Sequence, residues 1–401
     1  MITAMLKHRA LLFSLTAASL LATTDARTEE SVDSPCDQSW PEGAKIADLS
    51  DETIDESSGL ADSWLHSNRL WTHNDSGDQP RLWAFRKDGT VTTVLHLQGG
   101  ANVDWEDIAI GPCDPESDPI EPCIYVADFG DNLSRRPHVT LYRFPEPDLG
   151  DAPPAEWTVN HFDILHYQYE GGPRDAETLL VHPITAQIWV IEKTGAEEVA
   201  IFEIPNDFNN LTTHQVSPTA YLEVSGLFSL ARMVTGGDIS PDGREFTYRT
   251  YVDLYTHCVP EGEPFEAAFT TPALRQGARP ATIQGEALTY DRRDQALWLT
   301  SEALPAPLIR IGPRNQPDHY EPPPPPEPEP EPEPAETDLD TGDADPDFGL
   351  DETDPDGNDR AAAQSSCSAT SSATAPLSLL ILVGLFALLR RRRRGPLRYS
   401  P

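Results

Sequence analysis

A six-residue phrase occurs five times along the chain. Glu56-Ser-Ser-Gly-Leu-Ala returns in altered form as Asp-Trp-Glu-Asp-Ile-Ala from Asp104, Asp-Ala-Glu-Thr-Leu-Leu from Asp175, Thr-Gly-Gly-Asp-Ile-Ser from Thr235 and Gln-Gly-Glu-Ala-Leu-Thr from Gln284. Each copy is followed by an aromatic or β-branched run, as at Leu70 to His73, Ile124 to Ala127, Ile188 to Ile191, Phe246 to Arg249 and Leu297 to Thr300. In most copies a further short run closes the unit. Units of three or four short strands that cannot bury their faces alone must stack around a common core, which predicts an all-β fold of the β-propeller type.

Taking Leu60, Ile108, Leu179, Ile239 and Leu288 as equivalent, the spacings are 48, 71, 60 and 49 residues, too uneven for a solenoid but tolerable where loops leave a blade at its two ends. Five blades are expected, or six if the stretch from Pro205 to Arg232 hides another. The strand-like run from Ala44 to Leu49 is expected to complete the last blade and close the ring. Trp71, Trp83, Trp105, Trp189 and Trp298 fall within strands and are expected to pack between blades.

In this fold the start of each inner strand and the loop after the second strand share one face. Two positions before the aligned aliphatic residue stand Ser58, Glu106, Glu177, Gly237 and Glu286. Glu106, Glu177 and Glu286, with Asp75 and Asp128 from the neighbouring loops, form the expected metal ligands. Several oxygen donors on a rigid frame suit a hard divalent cation, Ca2+ above all. A bland reading stands beside this one, since carboxylates at strand starts often accept backbone hydrogen bonds. Asn74, His73, Lys193, Arg249 and Glu302 complete the expected ligand-binding face. Because Ser58 and Gly237 interrupt the acidic ring, the site should be lopsided, built mainly by the second, third and fifth repeats.

The residues from Glu56 to Ala61, Leu70-Trp-Thr-His-Asn-Asp, Asp104 to Ala109, Ile124-Tyr-Val-Ala-Asp-Phe-Gly-Asp-Asn and Leu141-Tyr-Arg-Phe resemble the phytase-like and SdiA-regulated propeller families. The resemblance runs from about Ala44 to Gly312. It implies calcium at the channel mouth, with Glu106, Glu177 and Glu286 as ligands, and it implies no catalytic set. Two functions follow as expectations: a small-molecule- or protein-binding module, which is preferred, and a calcium-dependent hydrolase such as a phosphoesterase. Lys193 and Arg249 are the candidate cations for a phosphoryl group in the second case, with Arg135 and Arg136 nearby. The nucleophile elbow, the zinc helix motif and the phosphate-binding glycine loop are all missing, so enzyme activity is left open and disfavoured.

The ends of the sequence read differently from the repeats. Residues 1–26 have the charge, apolar run and small residues of a secretory signal. The propeller is expected over 36–315, and a Pro/Glu/Asp-rich extended linker over 316–364. Residues 365–401 carry Cys367, an apolar segment at about 373–389 expected to cross a membrane, and an arginine cluster, 390–394. That order resembles the MYXO-CTERM type of bacterial sorting tail, which implies an exported protein at the cell envelope whose tail is an anchor or is cut by a processing enzyme. For the five cysteines, Cys113 with Cys123 and Cys36 with Cys258 are the expected pairs, leaving Cys367 over. Net charge is −37 and no basic patch is interleaved with aromatics, which excludes nucleic acid as a partner.

Overall fold

The computed structural model describes residues 38–208, 212–277 and 282–314. Strand β1 (Ala44–Asp48) precedes the first repeat. The first blade is β2 (Ser57–Asp62), β3 (Arg69–Asn74), β4 (Arg81–Arg86) and β5 (Val91–Leu97). Next come β6 (Trp105–Pro112), β7 (Pro122–Asp128), β8 (Val139–Pro145), β9 (Glu156–Val159) and β10 (Asp163–Tyr169). Of these, β10 completes the second blade, while β9 crosses over and pairs parallel with β5.

The third blade is β11 (Ala176–Val181), β12 (Ile188–Glu192) and β13 (Glu198–Ile204), completed beyond β14 (His214–Val216) by β15 (Pro218–Glu223). The fourth is β16 (Val234–Ile239), β17 (Glu245–Thr250), β18 (Asp253–Cys258) and β19 (Leu274–Gly277). The fifth is β20 (Leu288–Tyr290), β21 (Leu297–Leu299) and β22 (Pro307–Ile311), to which β1 adds antiparallel as the outer strand. The fold is therefore a five-bladed propeller whose N-terminal strand closes the ring. Among the described residues between 205 and 232 there is no sixth blade. That stretch supplies β14, which pairs parallel with β10, then β15 and a short 3-10 turn at Ser229–Arg232.

Strand alternation explains why the ring holds together. Successive side chains of an inner strand point to opposite faces of the sheet. Thus Leu60 enters the apolar cluster shared with the fifth blade, while Ala61 enters the one shared with the second. Five such clusters are present, one at each junction between neighbouring blades. The five tryptophans singled out from the sequence are fully buried within them. Cutting any one to alanine would cost on the order of 3–5 kcal/mol.

Blade edges are covered by a repeated device. The connection between third and fourth strands of the second blade carries β9 to the edge of the first, and that of the third carries β14 to the edge of the second. The same connection in the fourth blade is a 3-10 turn, Phe265–Thr270, laid against β15. Each covers main-chain groups that an open sheet edge would leave unpaired.

Cys113 and Cys123 are bonded, as the loop between them suggests. Cys258 is disulfide-bonded too. Its expected partner Cys36, the sorting residue Cys367, the leader, the linker and the tail all lie outside the described residues. Among the described residues no helix is long and apolar enough to cross a membrane.

Candidate functional site

Four inner strands bulge at the same place. The pairing of β2 with β3 skips Ser58, that of β6 with β7 skips Glu106, that of β11 with β12 skips Glu177, and that of β16 with β17 skips Thr235. A bulge re-aims the residue it frees from the ladder. Thr235, and not Gly237, is therefore the fourth blade's counterpart of Glu106; Gly237 pairs with Tyr248 lower in the strand. The phrase around Ile239 is displaced by two residues, and a two-residue slip preserves side-chain alternation, so the pattern of the sequence conceals it. Gly236 shows why small residues stand there. A β-carbon on it would overlap the carbonyl oxygen of Glu286.

A second regularity fixes the loops. A residue one to three positions past the second strand donates its N–H to a carbonyl just ahead of the inner strand: Asp75 to Glu56, Gly130 to Asp104, Lys193 to Asp175 and Glu302 to Gln284. These clamps bring the loop residues over the inner-strand starts, at one mouth of the channel.

At this mouth Asp75, Asp104 and Glu106 converge, with one carboxylate oxygen from each lying within 4.8 Å of the others. Glu106 is 1% exposed, and its Oε1 has no hydrogen-bond partner. Burial, reinforced by the charges of Asp75 and Asp104, pushes its carboxyl well above the usual range. The loop backbone at Gly130 closes over the pair; a β-carbon there would overlap Glu106 Oε1 and stand 2.7 Å from Asp104 Oδ2.

Asp128 holds this loop instead of facing the cluster. It accepts the amides of Val103 and Asp104 and pairs with Arg136 at 2.8 Å. Burial raises its pKa, and Arg136 opposes the rise. Asn74 braces the neighbouring turn, giving its amide hydrogens to Thr53, Asp55 and Asp78 while accepting from the Glu56 amide. Asn102 adds a bond to the Asp75 carbonyl at 3.1 Å.

The remaining expected residues take separate places. Glu177 is ion-paired with Lys193, whose ammonium also faces Glu106 and lies 5.7 Å from the Tyr251 ring. Glu286 accepts hydroxyl bonds from Ser58 at 3.3 Å and Tyr251 at 3.2 Å. Glu302 accepts from the Gln284 amide, and burial together with Glu286 raises its pKa. Arg249 is fully buried and donates to the carbonyls of Ala287 and Thr300 and to Thr282 Oγ1. Burial lowers its pKa to about 10, with Glu286 opposing. His73 is sealed between blades, edge-on to Trp105, and burial brings its pKa down to about 4. A neutral imidazole in that position packs; it does not reach the mouth.

Asp104 and Tyr251 are mouth residues that the sequence reading passed over. For Asp104 a signal was present. Glu56, Asp104 and Asp175 form a second acidic position two residues ahead of the bulge. Other inner-strand carboxylates fulfil the bland expectation: Asp107 accepts the amides of Ile108 and Leu179, and Asp238 those of Ile239 and Tyr290. They staple adjacent strands. Glu106 does not.

No family model matches the chain, and no curated protein matches it. Solved structures similar to it include the PQQ-bound form of an aldose sugar dehydrogenase from Streptomyces coelicolor, at 11% identity and a TM-score of 0.42, covering 69% of this chain and 99% of that one. The soluble aldose sugar dehydrogenase from Escherichia coli, in its apo form, is another, at 11% identity and a TM-score of 0.39, covering 68% of this chain and 99% of that one. Likeness at this level carries nothing about chemistry. The fold rests on the pairing of this chain's own strands: five four-stranded blades closed by β1.

Proposed function

We propose that this protein is a binding module whose acidic mouth holds a calcium ion and presents it to a ligand or protein partner. The observation that carries the reading is the buried, unpartnered Oε1 of Glu106, aimed into the cluster it makes with Asp75 and Asp104. Leaving such a group unpaired is costly, and a hard cation relieves that cost together with the mutual repulsion of the three carboxylates. The donor set fits. All three ligands are oxygens, and oxygens bound to one Ca2+ stand at most about 5 Å apart, twice the usual Ca–O distance. The resemblance to the phytase-like and SdiA-regulated families points the same way.

A phosphoesterase would need cations around the metal. Lys193 is engaged by Glu177, and Arg249 is buried with its N–H groups spent on carbonyls. Neither is placed to take a phosphoryl group, which favours the binding module over the hydrolase. Export and tethering at a bacterial cell envelope, through the sorting tail, is the setting we propose for it.

Calorimetric titration of the full chain with Ca2+ tests this, with one ion per chain expected. Gly130→Ala removes no ligand but forces the Glu106 and Asp104 carboxylates apart, so it should weaken calcium by at least about tenfold, as displaced supporting contacts do. Absence of binding at millimolar Ca2+, or full affinity in Gly130→Ala, would sink the proposal.

A further inference from the structure

Glu106 and Glu177 are freed from the ladder by the same bulge on adjacent inner strands, β6 and β11, yet only Glu106 belongs to the carboxylate cluster. Glu177 is 2% exposed; its Oε1 meets the Lys193 ammonium, and its Oε2 is buried without a hydrogen-bond partner. A further carboxylate oxygen is thus left unspent beside the mouth. The ammonium that holds Glu177 lies 5.7 Å from the Tyr251 ring and also faces Glu106, whose carboxyl it draws down against the rise caused by burial, Asp75 and Asp104.

The loop clamps explain how a cation comes to stand there. Lys193 donates its N–H to the Asp175 carbonyl as Asp75 does to that of Glu56, so the third blade's loop delivers an ammonium where the first blade's delivers a carboxylate. The mouth carries a cation of its own. A tethered ammonium and a calcium ion answer the same need, compensation of a buried carboxylate, and their like charges repel one another.

Resting on the calcium-binding reading, we infer that Lys193 sets the strength of the calcium site, both by holding Glu177 out of the ion's ligand set and by opposing the ion with its own charge. Glu177 is a latent fourth carboxylate. Calcium affinity at oxygen sites follows the number of ligand charges, so the side chain that withholds one of them decides how tightly the ion is kept.

The test breaks this ion pair from each side and titrates the full chain with Ca2+ by calorimetry. Lys193→Met removes the charge and keeps the apolar stem, so calcium should bind at least about tenfold more tightly, the scale on which groups behind a metal site act. Glu177→Gln leaves the ammonium with Glu106 as its remaining carboxylate, so calcium should bind at least about tenfold more weakly. Adding Glu177→Gln to Lys193→Met should cancel most of the gain. A pair that only held the loop in place would behave differently, because losing either partner would loosen the same loop and weaken calcium both times. Lys193→Gln, whose amide can still bond to Glu177, keeps the loop tied if Lys193→Met unfolds, and it too should tighten calcium. Unchanged or weaker binding in the neutral Lys193 variants, or a gain that survives intact in the double variant, overturns the inference. The two readings fail separately: calcium uptake by the wild type with no gain on neutralising Lys193 removes only the role of Lys193, whereas no uptake by the wild type or by the neutral variants removes the calcium site and that role with it.

Discussion

Glu106→Gln is expected to raise the melting temperature of the calcium-free protein and to abolish its response to calcium. In the wild-type protein the Glu106 carboxylate is buried, lacks a partner at Oε1 and faces two further carboxylates. Replacing the charge with an amide of the same shape removes that repulsion, and an unpaired buried group of this kind costs about 1–3 kcal/mol, more when charged. Each kcal/mol recovered corresponds to about 2–4 °C for a domain of this size class. Wild-type protein at calcium a hundredfold above its dissociation constant should gain about 2.7 kcal/mol, and the variant should gain none. Scanning calorimetry with and without Ca2+ reads both effects. A purely structural Glu106 would give the opposite signature, a lower melting temperature without calcium and an unchanged calcium shift.

What the sequence disclosed, and what it hid, follows from how each feature is encoded. Inner-strand phrases such as Asp104 to Ala109 place a charged residue beside buried aliphatics at a fixed step, so five blades and ring closure by Ala44 to Asp48 were readable as patterns, while the stretch from Pro205 to Arg232 left a sixth blade open. The Trp positions were readable for the same reason, because a large apolar ring in a strand has few places to go but a blade junction. The bulges were not readable. Thr235 takes the position expected of Gly237 because the slip is two residues, which alternation cannot register. Nor could the pattern assign partners. Glu177 and Glu106 occupy equivalent positions, yet one meets Lys193 as an ion pair and the other faces Asp75 and Asp104. That difference depends on loops of unrelated sequence, and it moves the carboxylate cluster toward the first and second blades.

Lys87→Met is expected to destabilise the ring strongly. Lys87 leaves the turn between β4 and β5, yet it is 2% exposed. Its ammonium lies 2.7 Å from Asp62 of the first blade and 2.8 Å from Asp291 of the fifth, with the Trp298 ring 5.8 Å away. Trp298 Nε1 also donates to Asp291, and the Arg292 amide to Asp62. This buried triad joins the two blades at the seam that β1 closes. Removing only the cation leaves two carboxylates uncompensated, which costs about 3–5 kcal/mol.

The deficit should depend on pH, with a sign the triad fixes. Burial raises Asp62 from 3.8 to about 7 even though Lys87 opposes the rise. The folded state therefore holds a proton that the unfolded chain releases above 3.8, so this group favours folding at low pH and loses that contribution as pH climbs through about 7. Without Lys87 the opposing charge is gone and Asp62 moves higher still. Urea unfolding of Lys87→Met should accordingly show a larger deficit at pH 8 than at pH 5, where Asp62 is protonated in the fold, and adding Asp62→Asn should recover most of it at pH 8. A deficit equal at both pH values and untouched by Asp62→Asn would mean that the loss is one of packing against Trp298, and that the seam is held by its apolar contacts alone.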